Sequence, residues 1–303
     1  MRLTIAYITG RAEPRLDWVI DDLILRQMQR GDEIEIIVVD LRGRRPNELV
    51  TADIAEACGI AIRTTLPKPN IWQGEHRIMS VDWWAKSNAI NSALVLCQTE
   101  YIAFVDDRCS LSPEWLNVVR EGERKRESVI AGAYEKIERG QATQDHRLTH
   151  APHGRNNCGG NWLYGCTFAL PLEWALVVNG AEEGCDGMGG EDYIFGLMLA
   201  NAGYRIDYAP AMKVTQKREE VAAVPGGSGS IPLRRTDKGV SPNDKSHAAL
   251  SRFGSRKRAE FTPDLRGLRY ELAQGRGFPI PDPNYDYRDW YDNQPIREMQ
   301  PPP

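Results

Sequence analysis

The chain has 303 residues and a mass of 34.1 kDa, with 41% hydrophobic and 26% charged residues and a mean hydropathy of -0.49, enough to bury a substantial core in one large or two small domains. Its formal net charge of -4 gives no overall attraction to nucleic acid or anionic membrane, so any such contact must be local. No apolar run approaches the ~20 residues that a membrane-spanning helix needs.

The opening Met1-Arg-Leu-Thr-Ile-Ala-Tyr-Ile is interrupted too soon for a secretory signal, and Leu3 to Ile8 reads as a first strand. Trp18, Val19, Leu23, Leu25 and Met28 then recur at helical spacing, closed by Gly31, before a second β-branched strand from Ile34 to Val39. A helix near Asn47 to Cys58, a strand around Ile60 to Thr64, a helix from about Val81 to Cys97 and the apolar strand Tyr101 to Val105 follow. Ser112-Pro113-Glu114 predicts a helix start with serine as N-cap and proline at the first helical position. Val129 to Tyr134 is the next strand. This alternation predicts a mostly parallel α/β sheet covered on both faces, with ligands beyond the carboxyl ends of its strands.

The second half is less regular. Gly154 to Asn161 is rich in glycine and asparagine and gives way to the apolar Trp162 to Leu170; Pro171 starts a short helix. Gly189-Gly190 introduces a longer helix, Glu191 to Asn201, closed by Gly203 and followed by a strand from Tyr204 to Tyr208. Pro225-Gly-Gly-Ser-Gly-Ser230 has the composition of a loop or lid, and the last 28 or so residues that of an extended tail. The six cysteines (Cys58, Cys97, Cys109, Cys158, Cys166 and Cys185) show no C-x-x-C spacing. They predict reduced thiols of a cytoplasmic protein, several of them buried, and no structural zinc site.

Two acidic clusters carry the chemistry. Tyr101-Ile-Ala-Phe-Val-Asp106-Asp107-Arg108 is an apolar strand ending in adjacent carboxylates, a natural hold for a hard divalent cation, Mn²⁺ or Mg²⁺, against phosphate. Aspartate is also common where a strand turns, but two like charges beside a buried strand are costly without a cation. The second cluster, Gly190-Glu191-Asp192, could supply a general base or serve only the helix dipole. His247 could complete a metal site, since imidazole suits Mn²⁺ better than Mg²⁺. Thr9-Gly10-Arg11 after the first strand and Asp40 at the end of the second are the expected grips for a base and ribose, without the G-x-G-x-x-G spacing of a dinucleotide site. Lys86, Asn88 and Asn91 lie on one helix, with the two asparagines on a shared face that could reach a nucleotide. Lys213 to Arg258 holds 11 basic and 4 acidic residues, a local excess of 11 - 4 = +7. That segment suits a solvated stretch, a diphosphate clamp or a polyanion-binding surface.

Taken in order, Ile8-Thr-Gly-Arg11, Asp40, Asn88-Ala-Ile-Asn91, Phe104-Val-Asp-Asp107 with Ser112-Pro-Glu-Trp-Leu116, Trp162-Leu-Tyr-Gly-Cys166, Asn179-Gly-Ala-Glu-Glu-Gly-Cys-Asp186, Gly190-Glu-Asp-Tyr193 and Asp237 to His247 resemble the family 2 glycosyltransferases of the GT-A fold. The resemblance covers about residues 1 to 250. It implies a Rossmann-like, mixed but mostly parallel sheet flanked by helices. A nucleotide-sugar-binding half would span 1–134 and an acceptor-binding and catalytic half 135–250, with an irregular C-terminal extension over 251–303. By the same resemblance, Asp106 contacts the donor ribose and Asp107 and His247 the metal. Asp192 is the base, Glu191 holds a sugar, and Trp162 and Tyr164 line the acceptor side. Thr9, Gly10, Arg11, Asp40, Lys86 and Asn91 serve the donor. Arg108 replaces the last acid of the family's Asp-x-Asp pattern and is expected to touch the diphosphate.

The expectation is therefore an inverting, metal-dependent hexosyltransferase. It would move a sugar from a nucleotide-diphosphate donor, a UDP-sugar by expectation, to a glycan, lipid-linked or other hydroxyl. Three alternatives stand beside it. A nucleotidyltransferase is disfavoured because no glycine-rich basic triphosphate loop opens the chain. A catalytically silent sugar- or nucleic-acid-binding module is permitted by Arg108 and opposed by Glu191-Asp192. Transfer to hydroxylated bases in DNA would use the basic segment.

Overall fold

A computed structural model describes residues 1–10, 13–40, 60–69, 86–138, 140–186, 190–217 and 262–277, with isolated positions at 43, 45 and 49. Among these residues one mixed sheet of ten strands organises the chain. β1 (Arg2–Thr9), β2 (Glu33–Asp40), β3 (Ile60–Thr65) and β4 (Tyr101–Asp106) form a parallel half in the order β3-β2-β1-β4. β9 (Thr167–Pro171) runs antiparallel to both β4 and β6 (Val129–Glu138), and β10 (Ile206–Lys217) lies parallel to β6. The short β5 (Cys109–Leu111), β7 (Gln141–Gln144) and β8 (Arg155–Cys158) pair antiparallel with β10, β6 and β10 respectively. The division expected at 134/135 falls inside β6, so the two halves share one sheet.

The strands alternate faces with period two, and both faces are buried. Leu3, Ile5 and Tyr7 of β1 and Tyr101, Ala103 and Val105 of β4 point to one layer. There they meet Leu16, Val19, Ile20 and Leu23 of helix α1 (Leu16–Arg26) and Trp115, Leu116 and Val119 of α3 (Trp115–Lys125). Ala6 and Ile8, with Ile102 and Phe104, face the other layer. It is built from α2 (Lys86–Leu96), α4 (Leu172–Val177), α5 (Glu191–Asn201) and α6 (Leu265–Ala273). Each buried Leu, Ile or Phe contributes roughly 1.5–3 kcal/mol, so the layers hold the strand ends, and the acids on them, in fixed register.

Three expected boundaries shift for identifiable reasons. α1 stops at Arg26, and Gly31, at φ 91°, belongs to the turn into β2 rather than to a helix end. The expected helix start at Ser112 moves to Trp115: the Ser112 hydroxyl donates across the sheet to the Ala211 carbonyl (2.6 Å) and does not cap. The extension beyond residue 250 contains α6, whose Leu265 and Leu268 are buried and whose Arg269 donates to the carbonyls of Leu94, Val95 and Cys97 at the end of α2. Apart from position 49, the helix expected near 47–58 lies outside the described residues, as do Cys58, the 225–230 loop and the tail from 278. Cys97, Cys109, Cys158, Cys166 and Cys185 are buried and in no disulfide among the described residues.

Candidate functional site

The site forms at the carboxyl edge of the parallel strands, where register brings distant residues together. Thr9 pairs with Asp40 across β1 and β2, and Ile8 with Asp106 across β1 and β4. Thr9 and Asp40 are fully buried, and the Thr9 hydroxyl donates to Asp107 Oδ2 at 2.9 Å. Gly10, just past the end of β1, is buried; Arg11 lies outside the described residues.

Lys86, the first residue of α2, joins the two acidic clusters. Its Nζ donates to Asp106 Oδ1 (2.7 Å) and the Gly165 carbonyl (3.2 Å), and lies 3.8 Å from Glu191 Oε1. Burial works against its charge, yet Asp106 and then Glu191 outweigh that penalty and raise its pKa. Asp186 fixes where this lysine starts: its carboxylate accepts from the backbone N–H groups of Ser87 (2.6 Å) and Asn88 (3.1 Å), at the dipole-positive end of α2.

On the facing side, Gly190 enters α5 at φ 84°, a left-handed conformation that suits glycine. The following Glu191 and Asp192 enter the site in the first turn. Burial above all, and the adjacent Asp192, push Glu191 up to about 7 against the opposing pull of Lys86. A carboxyl that titrates near neutrality inside a polar cluster is a functional candidate on physical grounds. Asp192 Oδ2 accepts from the Gly165 N–H (2.8 Å) and Oδ1 from its neighbour Tyr193 N–H (2.7 Å), which sets the carboxylate's direction and leaves lone pairs for an incoming hydroxyl.

Gly165 is the contact point of both acids' partners. A Cβ there would lie 2.9 Å from Lys86 Nζ and 3.3 Å from Asp192 Cβ, so a side chain would push the lysine tip aside and crowd Asp192. Gly165→Ala is therefore expected to lower turnover about 100-fold through misplacement of roughly an ångström, with the circular dichroism spectrum unchanged. A rate within twofold of wild type would show that the convergence is not needed.

Three expected site residues do other work. Asn91 is fully buried; its side-chain N–H donates to the Ala181 carbonyl and Glu183 Oε1, and its Oδ1 accepts from the Ala181 N–H. It braces the loop that carries Asp186 rather than facing a donor. Arg108, at φ 56° and 3% exposed, donates to the carbonyls of Lys217 (2.8 Å) and Glu13 (3.2 Å), tying β10 to the segment before α1. Nε and Nη1 of that fork are thus directed at backbone carbonyls. Trp162 packs edge-on against Tyr208 (5.4 Å), with Arg155 over its ring, in a small separate cluster. Tyr164, by contrast, adjoins Gly165, stacks near Tyr134 (6.0 Å) and meets His146 through its hydroxyl (3.1 Å), forming a half-buried aromatic wall beside Asp192.

Among the described residues no three His, Cys, Asp or Glu side chains gather as a metal cage. Asp107 places one carboxylate, a hard oxygen donor, just after the end of β4, and His247 lies outside the described residues. A Mg²⁺-like cation shared with a diphosphate needs only one or two protein carboxylates, because phosphate and water oxygens complete its shell. The donor set is compatible with that arrangement.

No protein-family model matches the chain, and no curated protein does either. Solved structures do match. S. aureus TarS 1–349 in complex with UDP-GlcNAc has a TM-score of 0.55 at 12% identity, covering 92% of this chain and 75% of that one. GalNAc-T7 with UDP, GalNAc and Mn²⁺ has a TM-score of 0.54 at 12% identity, covering 92% of this chain and 58% of that one. A further TarS 1–349 structure, at 0.50 and 14% identity, is matched over 72% of this chain, which spans 60% of its length. The fold is that of the GT-A glycosyltransferases.

Proposed function

We propose that this chain transfers a sugar from a nucleotide-diphosphate donor, a UDP-sugar, to an acceptor hydroxyl with inversion, as a family 2 type hexosyltransferase. The observation that carries the reading is the Lys86 ammonium between Asp106 at the end of β4 and Glu191 at the start of α5. It places the strand-end acids and the helix-start acids in one cluster, on a fold whose solved neighbours hold UDP-GlcNAc or UDP.

In this reading Thr9, Gly10 and Asp40 form the floor for base and ribose, with Asp106 oriented toward the ribose by Lys86. Asp192, aimed by the Gly165 N–H, accepts the proton of the attacking hydroxyl as the glycosidic oxygen leaves with the diphosphate. Glu191 and Lys86 orient the sugar from the side. Tyr164 and Tyr134 wall the acceptor side. Asp107 and His247 would hold the divalent cation, Mn²⁺ or Mg²⁺, which when bound offsets charge on the departing diphosphate.

The test is a thermal-shift screen of nucleotide sugars with and without Mn²⁺. A cognate donor at a hundred times its Kd is expected to stabilise the fold by about 2.7 kcal/mol, with metal only, and Asp107→Ala should abolish that gain. No stabilisation by any nucleotide sugar under either condition would refute the reading.

A further inference from the structure

The strand-end and helix-start acids meet on a short stretch of backbone, Trp162 to Cys166. The Gly165 N–H holds Asp192, the Gly165 carbonyl receives Lys86, and the Cys166 carbonyl accepts from the Asp106 N–H at 3.0 Å. Three consecutive peptide groups thus touch three site residues. Only Thr167 onward belongs to a strand, so this stretch needs an anchor from elsewhere.

Arg147 is that anchor. It sits in a single 3-10 turn, His146–Thr149, and is 3% exposed. Its guanidinium donates to the Trp162 carbonyl and to the Gly132 carbonyl (2.6 Å), tying the stretch to β6. Asp145 locks the fork, accepting from Nε at 2.9 Å and Nη2 at 2.5 Å, and is itself held by the Tyr208 hydroxyl at 3.2 Å. The flat cation lies 4.1 Å from the Tyr164 ring and 4.5 Å from the Tyr208 ring, a stacking that a lysine point charge cannot reproduce. A buried charge is costly unless fully paired. Here Asp145 pairs the charge, and the remaining bonds join the Trp162 carbonyl, just before Gly165, to the Gly132 carbonyl of β6.

We infer that Arg147 is a positioning residue: acting through Trp162 and Tyr164, it sets the Gly165 peptides that aim Asp192 and receive Lys86. It touches no reacting atom. The inference rests on the transferase reading for its effect on rate, though its effect on the Gly165 peptide stands apart from any activity.

Arg147→Lys, made in the full chain, tests it by two measurements. Turnover with the nucleotide sugar found in the thermal-shift screen should fall 10- to 100-fold in kcat, with donor KM within twofold. Amide hydrogen exchange should show at least tenfold faster exchange at Gly165, with Ile5 and Val105 in the central strands unchanged. Tyr208→Phe, which removes only the hydroxyl that steadies Asp145, should show the same pattern at a few-fold scale and guards against a lysine variant that does not fold. Unchanged kcat, or a loss of protection spread evenly over the sheet, overturns the inference. If the wild-type chain turns over no nucleotide sugar, the transferase reading fails by itself. Gly165 exchange then decides the role of Arg147: a selective increase upholds it and an unchanged rate overturns it.

Discussion

Asp192→Asn is expected to lower sugar transfer by roughly 10²- to 10⁴-fold, the usual span for loss of a general base, while leaving donor affinity close to wild type. The geometry explains why the effect is confined to chemistry. Asp192 accepts from the Gly165 and Tyr193 N–H groups, whereas the proposed donor floor is tied together separately, with the Thr9 hydroxyl donating to Asp107. An amide keeps the size and one of the two side-chain oxygens that accept from backbone N–H groups, so the first turn of α5 persists, but it cannot take a proton from a hydroxyl. Steady-state kinetics with donor titrated in the presence of metal separate the two quantities. A variant turning over at the wild-type rate would assign the base elsewhere. A variant that lost donor binding as well would place Asp192 in the donor site.

What was legible in the sequence follows from how local each cause is. The α5 boundaries, Glu191 and Asn201, match because their signals are adjacent: a glycine able to take a left-handed entry and a second glycine just past the end. Strands β1, β2 and β4 were visible as short apolar runs, and the rule that ligands bind beyond parallel strand ends located the acids. Residues whose partners are far along the chain were not legible. In α2 every position from Lys86 to Val95 is buried, so no polar face distinguishes a site residue from a packing one. Lys86 and Asn91 looked alike in sequence; the structure sends one to Asp106 and the other to Ala181 and Glu183. Arg108 stood where an acid was expected, and only the approach of Lys217 and Glu13 shows what it binds. Arg147 carried no sequence signal, because its partners lie in three different elements. Helix α6 did carry one: Asp264 caps it, with Leu265, Leu268 and Leu272 at i, i+3 and i+7. It was obscured by the polar, arginine-rich composition around it.

Lys86→Met is expected to destabilise the fold by about 3–5 kcal/mol at pH 8, the range for breaking a buried ion pair from one side. Methionine keeps most of the aliphatic stem, so packing is largely preserved and the loss is electrostatic. Without the ammonium, the carboxylates of Asp106 and Glu191 face each other beside Asp192 with no intervening cation. The pH dependence has a definite sign. Glu191 is already pushed up to about 7 with Lys86 lowering it, so removing Lys86 raises it further. The folded state then holds a proton that the unfolded chain, with an ordinary glutamate value of about 4.3, has released. Stability therefore falls as pH rises between those values and is recovered as pH drops toward 5. Urea denaturation of wild type and Lys86→Met at pH 5 and pH 8 measures this directly. The deficit should be clearly smaller at pH 5, and Glu191→Gln introduced alongside should shrink it at pH 8. Equal deficits at both pH values would mean that Lys86 does not compensate Glu191, and the cluster joining β4 to α5 would lose its electrostatic basis.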